Sequence, residues 1–214
     1  MTPGRIIFLN GTSSSGKSSI ARELLGLLDD GVYSHLSVDA FNAMRAQREL
    51  SEEEFDAALR RTRLGFHRSV AAMAEVGNDL VVDHVLSEPW RLTDCLTVLP
   101  PEDVLFVGVH CPREELERRE RARGDREAGL AALQYDLVHA HGDYDLECDT
   151  STASPRACAA HPGLPPSPAG PDRLQPAAGP VLHRVMRRGR GVGHALACAD
   201  ASDTRPARRG RPGP

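Results

Sequence analysis

The stretch Gly11 to Ser18 constrains this 214-residue chain more than any other part of its sequence. It reads Gly-Thr-Ser-Ser-Ser-Gly-Lys-Ser, the pattern of a loop whose backbone N–H groups curl inward around a polyphosphate. Gly11 and Gly16 leave room for that curl and for close approach of a ligand. Lys17 adds a mobile positive charge and Ser18 a hydroxyl suited to a divalent ion, while Thr12, Ser13, Ser14, Ser15 and Ser19 complete the cradle at a helix N-terminus that favours anions. Such a loop needs a buried strand before it and a helix after it. The apolar run from Arg5 to Asn10 supplies the first, and Ile20, Leu24, Leu27 and Leu28 repeat at helical spacing to supply the second. Lys17 is also the only lysine of the chain.

The length suits one α/β domain with room for a core and a short appendage. No apolar run approaches the roughly 20 residues needed to span a membrane, and residues 1–4 are too short for a signal peptide, so a cytoplasmic location is expected. Five cysteines, at positions 95, 111, 148, 158 and 198, never form a Cys-x-x-Cys pair, which points to reduced, mostly buried thiols without disulfides or zinc. Charge divides the chain near Pro155. Residues 1–154 carry 16 basic and 27 acidic side chains, net −11, whereas residues 155–214 carry 10 arginines and 3 aspartates, net +7. An acidic body argues against nucleic acid as the partner of the folded part.

After the first helix, His35 to Asp39 reads as a second strand ending in an acid. In open parallel sheets ligands bind beyond the carboxyl ends of the strands, so Asp39 can face a transferred phosphoryl group; its other reading is a helix cap. Ser51 and Glu54 form a capping box for a long helix ending near Gly77, with Gly65 as a place to bend. The β-branched run from Asp79 carries Asp83 at its carboxyl end, as a magnesium-holding strand would; the competing reading is a second acceptor-site carboxylate. His84 reads as structural or pocket-lining, because no second ligand stands at zinc-like spacing. Ser87 to Leu99 predicts a short helix with Trp90 on a pocket wall. Asp103 to Cys111 reads as a buried strand, and the helix after Pro112 turns basic, with Arg119, Arg123 and Arg126 placed to fold over a polyphosphate. Arg118 and Arg121 read as surface partners of nearby glutamates. The spacing predicts a helix over 126–141, with His139 and His141 on nearly opposite faces, and a fifth strand over 144–149.

Residues 5 to about 155 resemble the chloramphenicol phosphotransferase family, kinases of the phosphate-loop fold. The stretches that carry the resemblance are Ile7 to Ser18, Ser37 to Asp39, Val82-Asp83, Val107 to Cys111, Ala122 to Arg126, Val138-His139 and Tyr144 to Thr150. The resemblance implies a P-loop kinase-like three-layer α/β sandwich with a five-stranded parallel sheet in the order 2-3-1-4-5 and a helical lid. It implies ATP and Mg²⁺ as cofactors, transfer of the γ-phosphate to the hydroxyl of a small molecule, Asp39 as the base for that hydroxyl, Arg119, Arg123 and Arg126 as lid contacts, and Asp149 and Thr150 beside the adenine. A nucleotide or sugar kinase of the same fold, or an inactivated nucleotide-binding protein, is the alternative. A guanine-nucleotide switch is not, since its Asn-Lys-x-Asp motif needs a second lysine.

Residues 41–66 share little with antibiotic-modifying members of that family, and their aromatic content suggests an uncharged, partly apolar acceptor. After Ser154 the family's packing helix gives way to a run rich in Pro, Ala, Arg and Gly, with 11 prolines and 8 glycines in the last 60 residues. Residues 1–155 are therefore read as the kinase domain and 156–214 as a disordered tail with the composition of an out-of-frame translation.

Overall fold

In the computed structural model, which describes residues 2–46, 48–123, 129–141 and 143–164, the apolar runs of the sequence become five strands of one sheet. These are β1 (Ile6–Asn10), β2 (Tyr33–Ser37), β3 (Asp79–His84), β4 (Val104–His110) and β5 (Leu146–Asp149). Their order is β2-β3-β1-β4-β5, and every neighbouring pair is parallel. Parallel neighbours require crossovers, which the helices α1 (Lys17–Leu27), α2 (Val38–Ala43), α3 (Glu52–Glu75), α4 (Pro89–Val98), α5 (Arg113–Arg123) and α6 (Leu130–Val138) provide, followed by α7 (Pro155–Ala159).

The sheet is covered on both faces, which is why its strands read as continuous apolar runs. Alternate residues of β1 divide between two cores. Ile6 and Phe8 join Phe66 and Val70 of α3, while Ile7 and Leu9 join Ile20 and Leu24 of α1. The register puts Leu9 opposite Asp83 and Asn10 opposite His84, and Ser37 also stands opposite Asp83. The carboxyl ends of β1, β2 and β3 therefore meet on one rim with the Gly11–Ser18 loop. The capping box opens α3, with Ser51 Oγ accepting from the Glu54 N–H at 3.2 Å and Glu54 accepting from the Ser51 N–H at 2.9 Å. The helix then runs through Gly65 without interruption.

Three element boundaries differ from the sequence reading for local reasons. β2 stops at Ser37, whose hydroxyl caps α2 by accepting from the Asp39 N–H at 3.3 Å, so Asp39 lies in the first turn of a helix. β5 begins only at Leu146, because the Tyr144 ring packs on Phe106 and the Asp145 carboxylate accepts from the Phe106 N–H at 2.8 Å. α6 spans Leu130–Val138, started by Gly129 at φ 97° and by Glu120, which accepts from the N–H groups of Gly129 and Ala131.

The expected domain boundary at residue 155 falls at the start of α7, which lies against α1. Cys158, Ala159 and Leu164 are buried in the same core as Ile20 and Leu24. Residues 165–214, where most of the tail was expected, lie outside the described residues. Because Leu164 is only 4% exposed, Leu164→Ala is expected to cost about 2–4 kcal/mol of stability, read as a lower urea midpoint at unchanged slope. An unchanged midpoint would place the edge of the core before it. Cys95, Cys111 and Cys158 are buried and Cys148 is half-buried, all as free thiols. No helix among the described residues is long and apolar enough to cross a membrane.

Candidate active site

The phosphate loop is shaped by its two glycines in different ways. Gly16 sits at φ 95°, a left-handed conformation that favours glycine, and it caps α1 without any side-chain hydrogen bond. The first N–H groups of α1 thus face outward at the positive end of the helix dipole. Gly11 serves packing, not ligand clearance: a Cβ there would lie 2.5 Å from the Val109 carbonyl oxygen and 2.7 Å from Ser15 Oγ. Lys17 is buried and donates from Nζ to the Thr12 carbonyl at 2.7 Å. Among the described residues, the buried hydroxyl oxygens of Thr12, Ser14 and Ser15 have no hydrogen-bond partner. An uncapped helix end, a lysine and the unpartnered Ser14 hydroxyl, all on the cleft, are what a polyphosphate would satisfy.

Beside the loop, Asp83 is 2% exposed and held from two sides. His35 Nε2 donates to its Oδ2 at 2.9 Å, and Ser37 Oγ donates to its Oδ1 at 3.0 Å. Burial alone would raise its pKa; the His35 bond, the Lys17 charge and the nearby Ser18 hydroxyl outweigh it and hold Asp83 below the usual carboxylate range. Asp39 is exposed at the start of α2. Both carboxylates line one cleft of about 670 Å³, together with Ser13, Ser14, Gly16, Lys17, Ser18 and Ser19.

The far wall of the cleft is basic. Arg119 donates to Thr150 through Nη1 to Oγ1 at 3.0 Å and through Nη2 to the carbonyl at 2.8 Å, and Thr150 Oγ1 donates to the Ser15 carbonyl at 2.8 Å. Arg118 and Arg119 share Glu115, each with a 2.7 Å contact, so Arg118 is both a glutamate partner and part of the cleft wall. Arg22, from α1, also lines the cleft, a residue the sequence reading missed because its helical position gives no motif. Gly11, Thr12 and Ser15 lie behind the loop, outside the lining. Asp149 is turned to its own loop, accepting from Ser151 N–H at 2.8 Å and Ser151 Oγ at 2.7 Å. Arg123 ends α5, and Arg126 lies outside the described residues.

Under the site runs a buried polar chain. His84 Nδ1 accepts from the Val85 N–H at 2.6 Å, so its Nε2 carries the proton and donates to His67 Nε2 at 2.8 Å; His67 Nδ1 in turn donates to Asp94 at 2.6 Å. His84 is thus structural, and His67 emerged only from the fold, since nothing in sequence relates residues 17 apart on different elements. On the other side of β1, α6 ends at Val138 and not at 141, so His139 and His141 are not on opposite helix faces. Both reach the Tyr144 hydroxyl, at 2.7 and 3.2 Å, where Asn10 Nδ2 also donates at 2.7 Å. No group of three or more His, Cys, Asp or Glu side chains among the described residues is arranged to hold a metal ion.

Burial keeps these histidines neutral. It is the largest cause lowering His67, His84 and His141, and it pushes His139 down to about 4. An unfolded histidine protonates near pH 6.5. Between that value and the lower folded one, the unfolded chain binds more protons than the folded chain, so stability falls as pH falls. The Tm is expected to be level above about pH 7 and to drop from pH 6.5 towards 4, with a shallower slope in His139→Asn. A Tm constant down to pH 5 would show that these histidines are solvated.

Outside the cleft lining, arginines gather on the aromatic residues of the α2–α4 region. Arg60 stacks on Trp90 at 4.2 Å and Arg91 on its ring at 5.8 Å, while Arg45 lies over Phe55 at 4.9 Å. Arg63, on α3, is half-buried near Arg45 and Arg91. Arginines spread over residues 45–91 thus meet these aromatic rings only through the fold. Phe66 is fully buried, hence core and not pocket lining.

Comparison with known proteins places this geometry in a family. The model of the chloramphenicol phosphotransferase-like proteins matches residues 4–161. A curated relative from Mycobacterium tuberculosis strain H37Rv, provisionally named an O-phosphotransferase, is 30% identical over 178 residues, covering 72% of this chain and 78% of the relative. Among solved structures, the tunicamycin resistance protein of Deinococcus radiodurans matches with a TM-score of 0.57 at 17% identity, over 77% of this chain and 99% of that one. The APS kinase of Mycobacterium tuberculosis, solved with AMPPNP and APS, matches with a TM-score of 0.54 at 18% identity, over 74% of this chain and 95% of that one. At these identities the structural likenesses establish the P-loop kinase fold.

Proposed function

Because the chain belongs to the chloramphenicol phosphotransferase-like family, we propose that it is an ATP-dependent phosphotransferase that moves the γ-phosphate of ATP to a hydroxyl of a small molecule. The observation that carries this reading is the single cleft in which Lys17 and Ser18 face Asp39 and Asp83. When bound, ATP supplies the phosphoryl group, and Mg²⁺ neutralises charge across its phosphates. Ser13, Ser14, Gly16, Lys17, Ser18 and Ser19 bind the phosphates at the uncapped start of α1, with Gly11, Thr12 and Ser15 shaping the loop behind them. Ser18 and Asp83 hold the metal; His35 and Ser37 keep the Asp83 carboxylate ionised and oriented for that task. Asp39, exposed to the cleft, orients the acceptor hydroxyl and takes its proton. Arg119 steadies the phosphate side through Thr150, and Arg118 lies next to it. The resemblance of those stretches to the family assigns Arg123 and Arg126 as lid contacts to the phosphates, and Asp149 with Thr150 to the adenine end.

The test is a screen of hydroxylated compounds for acceptor-dependent ADP formation by the full chain. Consumption of ATP that depends on a particular acceptor hydroxyl is expected. ADP formation that no acceptor accelerates would reduce the chain to a nucleotide-binding protein.

A further inference from the structure

We infer that Gln134 of α6 is a positioning residue for the phosphate loop, holding the Ser13 N–H so that Ser14 keeps the left-handed conformation in which the loop receives phosphates. This rests on the phosphotransferase reading above and adds a residue to the same site.

Ser14 sits at φ 63°, and among the described residues it is the one residue other than glycine with a positive φ. Side chains resist that conformation, because the Cβ comes too close to the following carbonyl oxygen. Ser14 also lines the cleft, and its buried hydroxyl has no partner among the described residues. A strained backbone of this kind persists only where its surroundings over-determine it. Here both neighbours of Ser14 are anchored. The Ser15 N–H donates to the Thr12 carbonyl at 3.3 Å, and the Ser15 carbonyl accepts from Thr150 Oγ1, just after β5, at 2.8 Å. On the other side, the Ser13 N–H donates to Gln134 Oε1 at 2.9 Å.

Gln134 can hold the loop only if α6 is itself fixed, and the helix is tied at both ends. At its start, buried Glu120 of α5 accepts from the Gly129 N–H at 2.8 Å and from the Ala131 N–H at 3.0 Å. At its end, the Val138 carbonyl accepts from Asn10 Nδ2 at 3.0 Å. Asn10 immediately precedes Gly11, and its Oδ1 accepts from the Leu86 N–H at 2.9 Å, so the helix end and the root of the loop share one anchor. Ala131, Gln134, Tyr135 and Val138 follow at spacings of three and four and share a face. Ala131 and Val138 are buried, and Tyr135 packs on the cluster of Cys111, Leu116 and Ala131. Gln134 is the polar position of that inward face, and it meets the loop with its acceptor oxygen because a backbone N–H can only donate.

Left unclamped, a serine adopts the left-handed conformation in about one part in 5–30, whereas glycine visits it about as readily as its mirror image. Apparent nucleotide affinity is reduced by the fraction of molecules whose loop is competent. Releasing Ser13 should therefore cost affinity when position 14 is serine and little when it is glycine.

The experiment titrates a non-hydrolysable ATP analogue with Mg²⁺ calorimetrically into the full chain, Gln134→Met, Ser14→Gly and Gln134→Met/Ser14→Gly. Methionine keeps the length of the side chain and removes the acceptor oxygen. Gln134→Met is expected to weaken analogue binding about 5–30-fold in the parent background and by no more than about threefold in the Ser14→Gly background. A role confined to seating α6 would weaken both backgrounds alike, so equal losses overturn the inference, as does unchanged affinity in Gln134→Met. Gln134→Ala, too short to reach the loop, should repeat the pattern. Failure of both Gln134 variants to fold would assign the residue to the core and overturn the inference as well. All these outcomes leave the phosphotransferase reading intact; a parent chain that binds no analogue would instead overturn that reading and the inference with it.

Discussion

Lys17→Ala is expected to lower kcat/KM by about 10²–10³-fold and to weaken nucleotide binding at the same time. The lysine is buried, and its ammonium is parked on the Thr12 carbonyl inside the loop. There it is held for a ligand arriving at the uncapped start of α1, and no other lysine exists to replace it. The substitution should leave the fold intact, because Asp83 keeps His35 and Ser37 as partners when the Lys17 charge is gone. Steady-state kinetics together with a calorimetric titration of a non-hydrolysable ATP analogue check both parts. Normal nucleotide affinity in Lys17→Ala would contradict the assignment of Gly11–Ser18 as the phosphate cradle.

Asp39→Asn is expected to act differently. As the exposed carboxylate of the cleft, Asp39 serves the acceptor, so its loss should reduce kcat by about 10²–10⁴-fold while nucleotide affinity stays within about threefold. Asp83→Asn should show the reverse emphasis: Asp83 is buried against Ser18, and its amide would weaken magnesium-dependent nucleotide binding. The two substitutions are isosteric, so changes in packing do not confuse the comparison. If Asp39→Asn loses nucleotide binding as completely as Lys17→Ala, the two aspartates exchange roles.

The sheet order came with the resemblance to the family, whereas the rim that carries Lys17, Asp39 and Asp83 was legible in the sequence because each residue rests on a local signal. A glycine-bracketed loop, an acid at the end of an apolar run and a capping box are short patterns with direct structural meaning. What escaped was set by tertiary contact. His67 and Arg63 sit on a helix whose sequence says only that one face is apolar; which neighbours that face meets depends on how α3 crosses β3. Helix ends were misjudged for the same reason. Glu120, remote in sequence, fixes the start of α6 by accepting from Gly129 and Ala131, and the Tyr144 hydroxyl gathers two histidines that helical spacing would separate. The packing of α7 was hidden by composition, because Pro155, Ala157 and Ala159 read as the beginning of a tail, although Pro155 starts a helix well and the small residues fit closely on α1. Around the acceptor the aromatic residues were visible, but the arginines that stack on them came from three separate helices or helix ends.

Phosphorus NMR of the full chain incubated with ATP, Mg²⁺ and a mixture of hydroxylated acceptors tests the central assignment most directly, because it identifies where the γ-phosphate goes. The expected result is ADP together with an equal amount of a phosphate monoester on an acceptor hydroxyl, and neither product in Lys17→Ala. ADP accompanied only by inorganic phosphate, or by a phosphoanhydride on a nucleoside monophosphate, would contradict it.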